Sequence, residues 1–144
     1  SILPLAWDDF YNETKNYVLA PPALLFQFQT GIRIGELCVI HYEDLTEQRG
    51  YIHIQRMLRR DTSEVVSHTK TAAGDRFVPL TSEAQKLIDT ARQYQKEHHY
   101  PDNGYIFSIN DKPLTERCIS TLYTKYCKKL EIIQKSSHKA VKPL

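Results

Sequence analysis

The sequence predicts a mainly helical α+β domain with a small three-stranded antiparallel sheet inserted between its helices. Three observations carry this. Apolar residues recur every three or four positions near both ends of the chain, a central stretch alternates apolar and polar residues, and no repeat or linker divides the whole. At 144 residues, with 41% hydrophobic and 25% charged residues and only five glycines, the chain is one folded domain with a single core.

The elements follow in order. Trp7, Phe10, Tyr11, Tyr17 and Val18 share one helical face, so a helix is expected over Ala6–Leu19, ended by Pro21 and Pro22. The stretch "PALLFQFQTGIRIGELCVI" is too long and too apolar for a strand and reads as a buried helix broken near Thr30 and Gly31. Next, "YIHIQRM" alternates Ile52 and Ile54 with polar partners, and "EVVSH" and "RFVPL" are short β-branched or aromatic runs, which together predict a meander. Thr81 or Ser82 caps a helix with Ala84, Leu87, Ile88, Ala91 and Tyr94 inward. A last helix starts at Thr115, with Ile119, Leu122, Tyr123, Tyr126 and Leu130 inward and Lys125, Lys128 and Lys129 outward.

Several function classes are excluded or disfavoured. No apolar run is long enough to span a bilayer, and the opening "SILPLAWDDF" lacks the basic-then-apolar pattern of a signal peptide. Cys38, Cys118 and Cys127 are odd in number and form no CxxC pair, which fits reduced thiols packed in the core of a cytoplasmic protein. There is no phosphate-binding G-x-x-x-x-G-K-[ST] loop and no pair of acids spaced for two metals. His98 and His99 are adjacent at a helix end and diverge, while His41, His53 and His68 have no ligand partners nearby in sequence, so these histidines read as structural or surface residues and no metal is expected.

Charge is unevenly placed. Residues 1–48 hold seven acids against Lys15 and Arg33, a balance of −5; the remaining seventeen basic residues face ten acids, a balance of +7. Such asymmetry points weakly to a polyanion met by the second part.

Two stretches invite chemistry. In "TGIRIGEL" a Thr-Gly break interrupts an apolar helix, and Arg33 and Glu36 follow at i and i+3, so Glu36 is expected to hold the Arg33 guanidinium while the glycine leaves room for an outside group. In "SHTKTAAGDRFVPL" Lys70 lies at a turn between two strands, with Thr69 and Thr71 beside it and Arg76 opening the next strand. A mobile ammonium there is either solvated or able to deliver a proton to a leaving oxygen.

Together with "SSHKAV" near the end, these stretches resemble the catalytic domain of the tyrosine recombinases, the phage-type integrases of bacteria. That family carries T-G-x-R-x-x-E-L on a helix, a β-hairpin with K-T followed by an arginine and a V-P-L-like strand, then H-x-x-R, and finally a tyrosine. "TGIRIGEL", the acidic "YEDL" turn after it, "TKTAAGDRFVPL" and "SSHKAV" appear in that order across nearly the whole chain. The resemblance implies an all-protein active site that uses no cofactor: Arg33 as the first catalytic arginine, Lys70 as general acid, His138 as the histidine of H-x-x-R, and Glu36 as a support. It also implies double-stranded DNA as partner, with Thr69, Arg76 and Lys139 contacting its backbone, and self-assembly of the intact protein on DNA as a tetramer.

The pattern departs from the family at two places. Val141 stands where H-x-x-R has its arginine, and all nine tyrosines precede His138. Tyr123 and Tyr126 fall on an apolar helix face and read as core. The resemblance therefore implies an incomplete catalytic domain, lacking the upstream DNA-clamping domain and the tyrosine segment, that binds DNA without cleaving it. Alternatives are a noncatalytic DNA-binding protein decayed from an integrase and a type IB topoisomerase-like enzyme.

Overall fold

In the computed structural model, residues 2–12, 18–48, 50–68, 74–100, 104–108 and 113–130 are described. The centre of the fold is α2 (Ala20–Thr30), whose residues from Ala20 to Phe28 are all buried. A helix apolar on every side can only be satisfied by neighbours all round. Here α1 (Ile2–Tyr11), α4 (Ser82–Glu97) and α5 (Glu116–Lys129) supply them. Phe26 meets Phe107 at a ring separation of 5.4 Å, and Phe28 meets Tyr123 at 5.9 Å. Pro21 and Pro22 do not merely stop the preceding segment. They form the first turn of α2, where a missing N–H leaves no hydrogen bond unmade.

α1 begins at Ile2 instead of Ala6, because Ile2 and Ala6 extend the apolar face toward the chain start. Val18 and Leu19 are buried in the turn before α2, and Tyr17 lies outside the described residues. α4 and α5 match the expected faces, except that Lys125, expected outward, is half-buried and pairs with Asp9 of α1 at 2.7 Å. Thr81 accepts from the Ala84 N–H at 3.1 Å and Thr115 from the Cys118 N–H at 3.2 Å, each capping its helix. Ala84, Leu87, Ile88, Ala91 and Tyr94 of α4, and Ile119, Tyr123, Tyr126 and Cys127 of α5, are buried.

The three runs expected to extend do so, but their pairing differs from a meander. The run Tyr51–Leu58 divides at Gln55 into β1 (Tyr51–Ile54) and β2 (Arg56–Leu58). β1 pairs antiparallel with β4 (Arg76–Pro79), and β2 pairs antiparallel with β3 (Val65–Ser67), giving two two-stranded sheets. The reason is length: β4 has four residues and β3 three, so each covers only half of the longer run. A short helix α3 (Ile34–Leu37) and a 3₁₀ turn at Tyr42–Asp44 join the helices to these strands.

Cys38 and Cys127 are buried, and all three cysteines are free thiols. Burial pushes the Cys38 thiol up to about 12 and Cys118 to about 11, as expected of packing residues. No helix among the described residues is long and apolar enough to cross a membrane.

Because Ile88 is 1% exposed beneath α2, Ile88→Ala is expected to destabilise the domain by roughly 2–5 kcal/mol in urea denaturation. Lys128→Ala, on the exposed face of α5, is expected to change it by less than about 0.5 kcal/mol. Equal losses for the two variants would show that the α2–α4 packing is not what holds the fold.

Candidate active site

α2 ends where Gly31 takes φ 71°, a left-handed cap whose N–H donates to the Gln27 carbonyl at 2.8 Å. Nothing lies within 4 Å of where a side chain at Gly31 would start, so the conformation and not crowding calls for glycine. The chain then reaches Arg33, in extended conformation at the entry to α3. Gly35 meets a different demand. A Cβ there would sit 3.1 Å from the Leu58 carbonyl, so the missing side chain lets α3 lie against β2.

Glu36 is fully buried, and its carboxylate is the hub of the region. Its Oε1 accepts the backbone N–H of Arg33 at 2.8 Å and Arg76 Nη2 at 2.9 Å. Its Oε2 accepts Arg76 Nη1 at 2.9 Å and His68 Nε2 at 2.8 Å. Burial alone would raise the Glu36 pKa. The Arg76 guanidinium, the Arg33 N–H and His68 outweigh it and hold the carboxyl below the usual glutamate range, so the group is ionised and His68 must donate. The same contact raises the Arg76 pKa.

This arrangement corrects the expected pairing. Glu36 supports Arg33 through the backbone, not through the guanidinium. A residue at the start of a helix turns its side chain away from the axis, while the carboxylate three positions on folds back onto its N–H. The Arg33 side chain is exposed, with no ion-pair partner among the described residues. Arg76, expected at the DNA backbone, places both terminal nitrogens on Glu36, with Nη1 also donating to the Gly74 carbonyl at 3.0 Å.

His68 is structural, as expected, but its role was not visible in sequence. It is 5% exposed, directly follows β3, and stands two residues before Lys70. Arg76 opens β4 on the other side of Lys70. One carboxylate on α3 thus grips both strands flanking the segment 69–73. Thr69 and Lys70 fall within that segment, and His138 and Lys139 near the chain end. All four lie outside the described residues.

A second carboxylate repeats the device next door. Asp44, 3% exposed, accepts the His41 N–H at 2.9 Å, Gln55 Nε2 at 2.6 Å and Arg56 Nη1 at 2.6 Å. The "YEDL" turn is therefore tied to the point where the long strand changes partner.

Tyr126 is 1% exposed and donates to Asp9 at 2.9 Å; burial and then that carboxylate raise its pKa strongly, so it is a poor source of phenolate. Tyr123 is buried beside Phe28. Among the described residues, no group of three His, Cys, Asp or Glu is placed to hold a metal ion.

The sequence matches the phage integrase family over residues 8–140. Similar solved structures include the Tn1549 transposon integrase in complex with circular intermediate DNA, with TM-score 0.69 and 22% identity over 88% of this chain and 45% of that one. A complex of that integrase with transposon right end DNA gives TM-score 0.69 and 22% identity over 97% and 47%. XerA recombinase gives 0.62 and 20% identity over 97% and 43%. At these identities the likeness is one of fold, and the chain spans less than half the length of each of these structures. No curated protein matches the sequence.

Glu36→Gln keeps the shape of the hub and removes its charge, so Arg76 and His68 lose their anion inside the protein. The expected cost is roughly 3–5 kcal/mol in chemical denaturation at pH 7. Since folding lowers the Glu36 pKa, its contribution is complete above the unfolded value of about 4.3 and fades as pH falls through the folded value. The gap between wild type and variant should be flat above about pH 5 and shrink toward pH 3. A gap that persists undiminished at pH 3 overturns the assignment of the lowered pKa to Glu36.

Proposed function

The chain belongs to the phage integrase family, the tyrosine recombinases, and from that premise we propose that it is catalytic-domain sequence of a site-specific DNA recombinase whose Arg33 meets the phosphate of the strand to be cut. The observation that carries this is the Arg33 guanidinium itself: exposed, without an acid partner among the described residues, on a backbone fixed by Glu36. Glu36 is already matched by Arg76, so the positive charge of Arg33 is left over for an anion.

In the reaction proposed for the intact protein, a tyrosine oxygen attacks a backbone phosphorus and the bond to the 5′-oxygen breaks. The products are a 3′-phosphotyrosyl link and a free 5′-hydroxyl; the reverse steps join a partner strand. Charge gathers on the nonbridging oxygens in the transition state, and an arginine fork meets them with paired, permanently charged hydrogen bonds. Lys70 is assigned the proton delivered to the leaving 5′-oxygen, and His138 a hydrogen bond to the phosphate and acceptance of the proton that the attacking tyrosine gives up. Thr69 and Lys139 are proposed as backbone contacts. Arg76, by contrast, acts through Glu36 on the placement of the strand that follows Lys70. Similar structures of the Tn1549 transposon integrase are complexes with DNA, which supports a DNA partner.

Val141 favours a narrower second statement. It can neither pair with phosphate nor carry charge, so the sequence as it stands is expected to bind duplex without forming a covalent adduct.

Binding is tested by fluorescence anisotropy with a short duplex across a salt series. Affinity is expected at low salt and to fall steeply as salt rises, and Arg33→Ala should reduce the slope of log affinity against log salt by about 1. No duplex binding at low salt would sink the proposal, and an unchanged slope in the variant would remove Arg33 from the phosphate.

A further inference from the structure

We infer that Gln27 is a positioning residue for Arg33, an inference that rests on the proposed role of Arg33 at a DNA phosphate. Gln27 is 3% exposed and the single polar side chain among the buried residues of α2. Its Nε2 donates to the Ile32 carbonyl at 3.2 Å, and its backbone carbonyl accepts the Gly31 N–H at 2.8 Å. The Ile32–Arg33 peptide is therefore held at both polar ends, its C=O by Gln27 and its N–H by Glu36 Oε1 at 2.8 Å. A peptide unit is planar and rigid, so fixing both ends stops it from rotating and sets the direction in which the Arg33 side chain leaves the backbone. One clamp comes from the interior of α2, the other from the buried carboxylate.

Packing alone does not explain an amide at this position. Gln27 Oε1 is buried without a hydrogen-bond partner among the described residues, a defect that a leucine or methionine of similar size would not carry. Turning the amide over gives no relief, because Oε1 would then face the Ile32 carbonyl, acceptor against acceptor. What the amide supplies, and an apolar residue cannot, is the bond to the peptide that precedes Arg33.

The test uses Gln27→Met, and Gln27→Leu as a second variant should the first fold poorly, each made with and without Arg33→Ala. Amide exchange and the Arg33 Nε–Hε signal are read by NMR, and duplex affinity by anisotropy at low salt. In the Gln27 variants, the Arg33 amide is expected to exchange roughly tenfold faster while the amides of Phe26 and Ile88 keep their protection. Duplex affinity should fall about three- to tenfold when Arg33 is present and not change when it is Ala. Arg33 signals identical to wild type, or the same affinity loss in both backgrounds, overturn the inference, since a defect spread through the core would not depend on Arg33. If Arg33→Ala alone leaves affinity intact while the Gln27 variants still loosen the Arg33 amide, the clamp stands and the phosphate role of Arg33 falls.

Discussion

The structure depends on a charge placed where charge is costly. Stripping a carboxylate of water is strongly unfavourable unless donors replace the lost hydration. Glu36 has them: the Arg33 N–H, two guanidinium nitrogens of Arg76, and the His68 ring. The three donor residues come from different parts of the chain. Since the carboxylate is stable only when all have arrived, the helix entry, the end of β3 and the start of β4 are fixed relative to one another. The two strands carry the flanks of the segment with Lys70, and the helix entry carries Arg33. The placement of the two sequence motifs on a common region thus follows from satisfying one buried anion.

Asp44 extends the same logic to the sheet. Pairs of short strands have little stability on their own and need packing or anchors from outside. Here each sheet is anchored by an arginine bound to a buried carboxylate, Arg56 to Asp44 for the β2–β3 pair and Arg76 to Glu36 for the β1–β4 pair. In both, the carboxylate also accepts the N–H three residues before it, so the acid is rigid before the arginine reaches it. The device joins a helical framework to strands too short to hold themselves.

What the sequence made legible was what local chemistry decides. Periodicity placed α4 and α5, the polar residues before them narrowed the first cap to Thr81 or Ser82 and put the second start at Thr115, and the Thr-Gly pair placed the break before Arg33. The inward reading of Tyr123 and Tyr126 also held. Nonlocal decisions were not legible. The spacing of Arg33 and Glu36 suggested a side-chain pair, yet the competing partner, Arg76, lies 40 residues away. No local signal marks which half of an eight-residue extended run a given partner takes. His68 looked idle because its partner is 32 residues upstream. A buried acid three positions after a helix entry was the one available hint that some basic group must come to it from elsewhere.

The charge asymmetry of the sequence also changes meaning once folded. Asp9, Glu36, Glu43 and Asp44 belong to the acidic first part, and their partners Lys125, Arg76 and Arg56 to the basic second part. Much of the opposition between the two parts is thus consumed inside the molecule, in pairs that hold helices to helices and sheets to helices. An excess of basic residues in one part is therefore weak grounds for a polyanion partner. Arg33 is the informative case for the opposite reason. It is one of two basic residues in the acidic part, and the nearest acid, Glu36, binds its backbone while leaving its guanidinium without an ion-pair partner among the described residues. A cation that the fold steadies and that no described residue neutralises is a better pointer to an anion partner than any sum of charges.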